Sequence, residues 1–224
     1  MTFRLDRLRL SNQAILCFVT TLCLLLSCTL VAEGEISEAL LIKIEKKHNK
    51  FARQRVEAWQ TLIASSQNLS DDEKLHLVNN FFNNNVMFIN DKALWDKEDY
   101  WATPLEALSV GAGDCEDYSI AKYFTLKQLG VNEDKLRITY VKAIEIGQAH
   151  MVVTYFKDKR SVPLVLDNID SEIKPANLRT DLVPVYSFNG NGLWLAKSRG
   201  EGKRVGNASR LSLWEDLSQR MNSE

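Results

Sequence analysis

Apolar and polar residues recur with different periods in different parts of the chain, and each change of period marks a boundary. Residues Ala14 to Ala32, "AILCFVTTLCLLLSCTLVA", carry no charge. A helical stripe of Ile36, Leu40, Ile44, Phe51, Trp59, Leu62 and Ile63 then predicts one long helix over residues 35–66. The polar run "SSQNLS" ends it. Ser70 with Glu73 three residues later is a capping box, and Asp71 and Asp72 favour a first turn. The helix they open carries Leu75, Val78, Phe81 and Phe82 and stops at "NNN", residues 83–85. Residues 87–102 have no regular period but hold Phe88, Trp95, Tyr100 and Trp101. Thr103-Pro104 opens a short helix through "PLEAL".

"GAGD" breaks the chain again. A helix follows from Asp114 or Cys115 to about Leu129, with Gly130 just past its end. Beyond Gly130 the period becomes strand-like: "LRITYVKAI" (136–144), "QAHMVVTYF" (148–156) and "VPLVLD" (162–167). "VPVYSF" (183–188) and "LWLAK" (193–197) flank "NGNG", a hairpin signal. Leu211, Trp214 and Leu217 give a final amphipathic helix. Helices first and an antiparallel sheet afterwards is the α+β order, and residues 35–224 read as a single domain. There are no repeats or low-complexity segments.

The N-terminal apolar run changes that picture. Arg4, Arg7 and Arg9 precede it and the small, polar "EGEISEA" follows it. That order marks residues 1–34 as a signal peptide, with cleavage after Ala32 or Gly34. Two further readings stay open: an uncleaved anchor, since the run is long enough to span a bilayer, and lipid attachment at Cys28. Three of the four cysteines, Cys17, Cys23 and Cys28, lie inside the run. An exported product keeps Cys115 alone and forms no internal disulfide. A single thiol in an oxidising compartment is a liability unless it is buried or used. The formal net charge of −1 gives no nucleic-acid footprint.

Cys115 stands in "GAGDCEDYSIAKYF", at or next to a helix start. Free amides and the helix dipole there stabilise a thiolate and an oxyanion. The other reading is a small buried hydrophobe. A nucleophile needs a base, and the chain has three histidines. His48 and His76 lie in polar helical stretches and suit solvated positions. His150 lies in a strand. A hairpin with its tip between Asp158 and Lys159 pairs Met151 with Leu166, Val153 with Leu164 and His150 with Asp167. Opposed residues share a sheet face with Cβ atoms about 5 Å apart, so a carboxylate would fix the imidazole. Pro163 and the poor "DK" turn weaken that register, and Asp167 with Asn168 would also serve as a strand-end turn. Asp114, Glu116 and Asp117 crowd the thiol. They suit an N-cap and first helical turn, yet their mutual repulsion also suits hard oxygen ligands for a divalent cation. Asp117 is the weaker ligand candidate, with a core or capping role as its alternative.

The stretches "WATPLEALSVGAGDCEDYSIAKY", "GQAHMVV" and "PLVLDN" together resemble the bacterial transglutaminase-like cysteine peptidases. Within them the chain is most similar to periplasmic proteases that release large adhesins and so promote biofilm dispersal. The resemblance covers roughly residues 36–200. It implies a papain-like, transglutaminase-like core, with Cys115 as nucleophile, His150 as base and Asp167 as its orienting acid. It implies calcium dependence through Asp114 and Glu116, and cleavage at a pair of alanines in an adhesin's N-terminal retention region. It further implies a partner, a LapD-like inner-membrane receptor for cyclic di-GMP. Two rival functions use the same residues: amide transfer between chains, and a non-catalytic calcium-stabilised binding protein. Trp95, Tyr100 and Trp101 read as core or groove wall, and the second oxyanion donor is not assigned.

Overall fold

The structure is a computed structural model that describes residues 36–195 and 202–223. The signal-peptide reading of residues 1–34 and the end of the "LWLAK" strand lie outside those residues. Among the described residues no helix is long and apolar enough to cross a membrane.

The helical half begins with a correction. The long helix expected over 35–66 is two helices, α1 (Glu38–Lys47) and α2 (Lys50–Ser65). Asn49 breaks them apart: its backbone is extended and its side-chain oxygen accepts the Ala52 N–H at 3.0 Å. A side chain that satisfies an amide at a helix start competes directly with helix continuation. The break also turns Phe51 out to solvent, 57% exposed, while Leu41, Ile44, Ala52, Val56 and Trp59 are buried. Helix α3 (Asp71–Asn85) starts at the Ser70–Glu73 capping box, with both reciprocal bonds present. The aromatic stretch holds a two-residue strand β1 (Met87–Phe88) and a short helix α4 (Asp91–Trp95). Helix α5 (Pro104–Val110) has its own capping box, Thr103 with Glu106.

A second short strand, β2 (Ala112–Gly113), precedes helix α6 (Cys115–Gln128). β1 and β2 pair in parallel, Met87 with Ala112 and Phe88 with Gly113. Helix α6 is buried through most of its length, including Tyr118, Ile120, Ala121, Tyr123 and Leu126. It packs against α3, α5 and strands β3 and β4, which is why its sequence shows no single apolar stripe.

The sheet half comprises β3 (Leu136–Ala143), β4 (Gln148–Tyr155), β5 (Leu164–Leu166), β6 (Lys174–Pro175), β7 (Leu182–Asn189), β8 (Gly192–Leu195) and β9 (Lys203–Gly206). They form a seven-stranded sheet in the order β6-β5-β4-β3-β7-β8-β9, with every neighbouring pair antiparallel. Strands β6 and β9 are too short to give a readable period. Helix α7 (Ser212–Met221) closes the described chain, with Trp214 and Leu217 buried.

The β4–β5 register is a second correction. Val153 pairs with Leu166 and Tyr155 with Leu164, a slip of two residues from the expected pairing. The strands are joined by a looser connection, with Asp158 and Ser161 exchanging bonds at its tip. Side chains alternate faces with period two, so a slip of two leaves every residue on its expected face. His150 and Asp167 become diagonal neighbours on one face, a spacing still within reach of long side chains.

Candidate active site

Two glycines shape the approach to Cys115. Gly111 ends α5 in the left-handed region, φ 77°, and a Cβ there would also meet the Arg55 guanidinium at 2.6 Å. A Cβ on Gly113 would collide with the Asp117 side chain, at 2.6 Å from Oδ2 and 2.7 Å from Cβ. Gly113 is empty because Asp117 fills the space. Asp117 is fully buried and spends its carboxylate on two amides, Ala102 at 2.7 Å and Asp114 at 3.3 Å. Its role is therefore to cap α6 from inside and to tie residues 101–103 to the helix start.

Cys115 is the first residue of α6, half-buried, with a free thiol. The thiol donates to Glu116 Oε2 at 2.8 Å. Burial, and then the charges of Glu116 and Asp114, push the thiol pKa far up, while the Met151 amide that faces the sulfur works the other way. The acids outweigh the helix start. With these neighbours uncompensated, the thiol stays protonated.

The acids themselves form a larger group than the sequence suggested. Asp91 and Asp99 join Asp114, Glu116 and Asp117. Oxygens of Asp91, Asp99 and Glu116 lie within 4.8 Å of one another, as do oxygens of Asp91, Asp114 and Asp117. Oδ1 of Asp91 and Oδ1 of Asp114 are buried without a donor among the described residues. Burial first, and then the neighbouring carboxylates, push Asp114 up to about 8. Burial likewise pushes Asp91 up to about 6, against the Tyr100 amide that it accepts. Two orphaned carboxylate oxygens in acid triads that share Asp91 are the kind of donor a hard cation takes. The residues therefore fit a divalent ion, with Asp114, Glu116, Asp99 and Asp91 offering oxygens and Asp117 already occupied. Sequence reading missed Asp91 and Asp99 because they lie well before Cys115, in a stretch without period. The only signal was the acid-rich "DKALWDKED" itself.

On the sheet side, His150 is 3% exposed, and its Nε2 lies 2.7 Å from Asp167 Oδ1. Asp167 Oδ1 also accepts the Asn168 and Ile169 amides, and Oδ2 accepts Arg179 Nη2 at 2.7 Å. Burial would raise the Asp167 carboxyl, but His150, the Ile169 amide and Arg179 together hold it well below the usual carboxylate range. An ionised carboxylate only accepts, so Nε2 carries the proton and Nδ1 presents its lone pair. The Asp167 carbonyl is fixed in turn by Asn83 Nδ2 at 2.8 Å and Lys122 Nζ at 2.9 Å.

Cys115 and His150 line one cleft of about 950 Å³. Tyr140 and Tyr186, stacked at 5.1 Å, form part of its wall, and Phe88, Ile146 and Ile169 add apolar surface at the rim. Trp101 lines it too and stacks on Phe188. Trp95 and Tyr100 pack on each other outside it. His48 and His76 lie elsewhere, at the end of α1 and exposed on α3.

A comparison with curated protein sequences gives no match. Among solved structures the chain is similar to LapG of Legionella pneumophila, at 41% identity and a TM-score of 0.71, covering 83% of this chain and 98% of that one. The calcium-bound form of that protein matches at 42% identity and a TM-score of 0.70, covering 83% and 99%. Its EGTA-treated form matches at 41% and 0.72, covering 83% and 98%. The model of a family described as bacterial transglutaminase-like cysteine proteinases matches residues 30–186. With most of its length matched and a cysteine at the helix start of the cleft, the chain belongs to the bacterial transglutaminase-like cysteine proteinases.

Proposed function

We propose that the protein is a calcium-dependent cysteine endopeptidase of the periplasm that cleaves the N-terminal region of a large surface adhesin and releases it from the cell. Cys115 is the nucleophile, His150 the base and Asp167 the acid that orients it. The observation that carries this reading is that His150, which shares a cleft with Cys115, is held by the buried Asp167 carboxylate at 2.7 Å. His150 Nδ1 takes the thiol proton and the thiolate attacks the scissile carbonyl. Amides at the start of α6 face the developing oxyanion. The imidazolium then returns the proton to the leaving amine, which departs and leaves a thioester. Water, deprotonated by His150, hydrolyses the thioester and frees Cys115.

Asp114, Glu116, Asp99 and Asp91 would hold the calcium ion. When bound it supplies positive charge that offsets the acids around the thiol and favours the thiolate. The existence of calcium-bound and EGTA-treated LapG structures supports this part of the reading. The dialanine target and the sequestering cyclic di-GMP receptor rest on the sequence resemblance, and export rests on the signal-peptide pattern of residues 1–34.

The test is incubation of wild type and Cys115→Ala with an adhesin N-terminal fragment, with and without chelator. Wild type should cut it, Cys115→Ala should leave it whole while keeping the native circular dichroism, and chelator should stop cleavage until calcium is restored. Full cleavage by Cys115→Ala would end the nucleophile assignment. Chelator-insensitive turnover would end the metal assignment.

A further inference from the structure

Asp167 does not hold His150 unaided. We propose that Arg179 is a positioning residue for the reaction, clamping Asp167 so that His150 keeps the tautomer and orientation a base requires. This inference rests on the functional reading above. Arg179 follows a single 3₁₀ turn at residues 176–178 and is 4% exposed. Its Nη2 donates to Asp167 Oδ2 at 2.7 Å and to Asp181 Oδ2 at 2.7 Å, and its Nε donates to Asp181 Oδ1 at 2.9 Å. Asp181 thus grips the guanidinium on two atoms and fixes its plane. The result is a row in which the Arg179 cation sits between the Asp167 and Asp181 carboxylates, and Asp167 in turn accepts the His150 ring N–H.

The row explains how a carboxylate stays ionised when it is 1% exposed. An isolated buried carboxylate protonates, and a protonated Asp167 can no longer dictate which imidazole nitrogen carries the proton. The two amides and the imidazole hold only Oδ1. Arg179 holds Oδ2 and so prevents the carboxylate from rotating off the ring. The other charged groups near Asp167 are Lys122 of α6, bound to its carbonyl, and Asp170, which lies within reach of the Arg179 charge.

The test compares wild type with Arg179→Gln, Arg179→Lys and Asp181→Asn. The first readout is ¹⁵N NMR of the His150 ring, which needs no substrate. With its ring neutral, wild type should show the Nε2–H tautomer. Arg179→Gln should lose that single tautomer and Arg179→Lys should keep most of it. The second readout is cleavage with calcium present. Arg179→Gln should lower kcat by ~10²-fold with KM little changed, as expected for a displaced catalytic group. The acid limb of its pH profile should move up, because a released Asp167 protonates at higher pH. Asp181→Asn keeps the guanidinium but frees its plane, and should fall between the two. A folded Arg179→Gln with wild-type ring signals overturns the proposal, whatever the substrate proves to be. If that variant does not fold, wild-type ring signals in Asp181→Asn overturn it instead.

Discussion

Lys122 is 1% exposed, and its ammonium is bound to one backbone oxygen, the carbonyl of Asp167. Burial pushes its pKa down to about 7, against the attraction of the Asp167 charge. The unfolded chain keeps that proton up to about 10.5, so between about 7 and 10.5 the unfolded state binds more protons. Stability contributed by this group therefore rises with pH across that window. Urea midpoints should increase from neutral to alkaline pH in wild type, and Lys122→Met should flatten the trend. At the other end of the same residue, Asp167→Asn should cut kcat by roughly 10³–10⁴-fold, because an amide facing Nε2 allows the wrong tautomer. A stopped assay with the adhesin fragment measures this. Much of this scale was legible in the sequence. The helix start at Cys115 and the His150–Asp167 contact were readable from residue type, the helix signal and strand parity. Arg179 did not, since one arginine in a loop carries no period. Asp91 and Asp99 were hidden because only the folded chain brings residues 91–99 beside residue 116.

At the scale of elements, the start of α6 depends on a cavity-free fit between Gly113 and Asp117. Gly113→Ala should displace Asp117, release the Ala102 and Asp114 amides, and cost well over the ~1 kcal/mol of an ordinary lost cap. Its melting temperature should fall, and cleavage should fall further than stability alone accounts for, because the displaced residue caps the helix that Cys115 begins. Ser70→Ala removes the capping box of α3, far from the cleft, and should cost about 1 kcal/mol with kcat unchanged. The Ser70–Glu73 capping box was the most legible feature because its signal is local, and it formed as its spacing implied. The break at Asn49 was missed because Phe51, two helical turns after Ile44, keeps helical phase across the polar "EKKHNK". The β4–β5 register was misjudged by two residues, since the connection makes no tight turn at Asp158–Lys159, yet the contact it was meant to explain survived. Parity, not exact pairing, carried that information.

At the scale of the molecule, the acid cluster links metal and stability. A cation that binds only the folded state stabilises it in proportion to saturation, about 2.7 kcal/mol at a hundredfold excess over Kd. For a chain of this size that predicts a melting shift of roughly 5–10 °C on adding calcium, reversed by chelator. Calorimetry of wild type tests it, and an unchanged melt would count against the site. The order of helices before sheet was readable from the change of period at Gly130, whereas the order of strands within the sheet was not. Strand order depends on long-range pairing that no short window of sequence contains.

The fastening of Asp167 has a consequence for how activity is lost. Its carbonyl is held from α3 and α6, its carboxylate from β4 and from the segment after β6. No fragment of the chain shorter than residues 83–179 contains all of these partners. A partly opened molecule that releases any one of those segments loosens the acid. Local fraying and global unfolding should then be equally silent, and the loss of turnover on heating should track the cooperative melt rather than precede it. An enzyme built this way has no half-folded, poorly selective form that could cut the wrong chain.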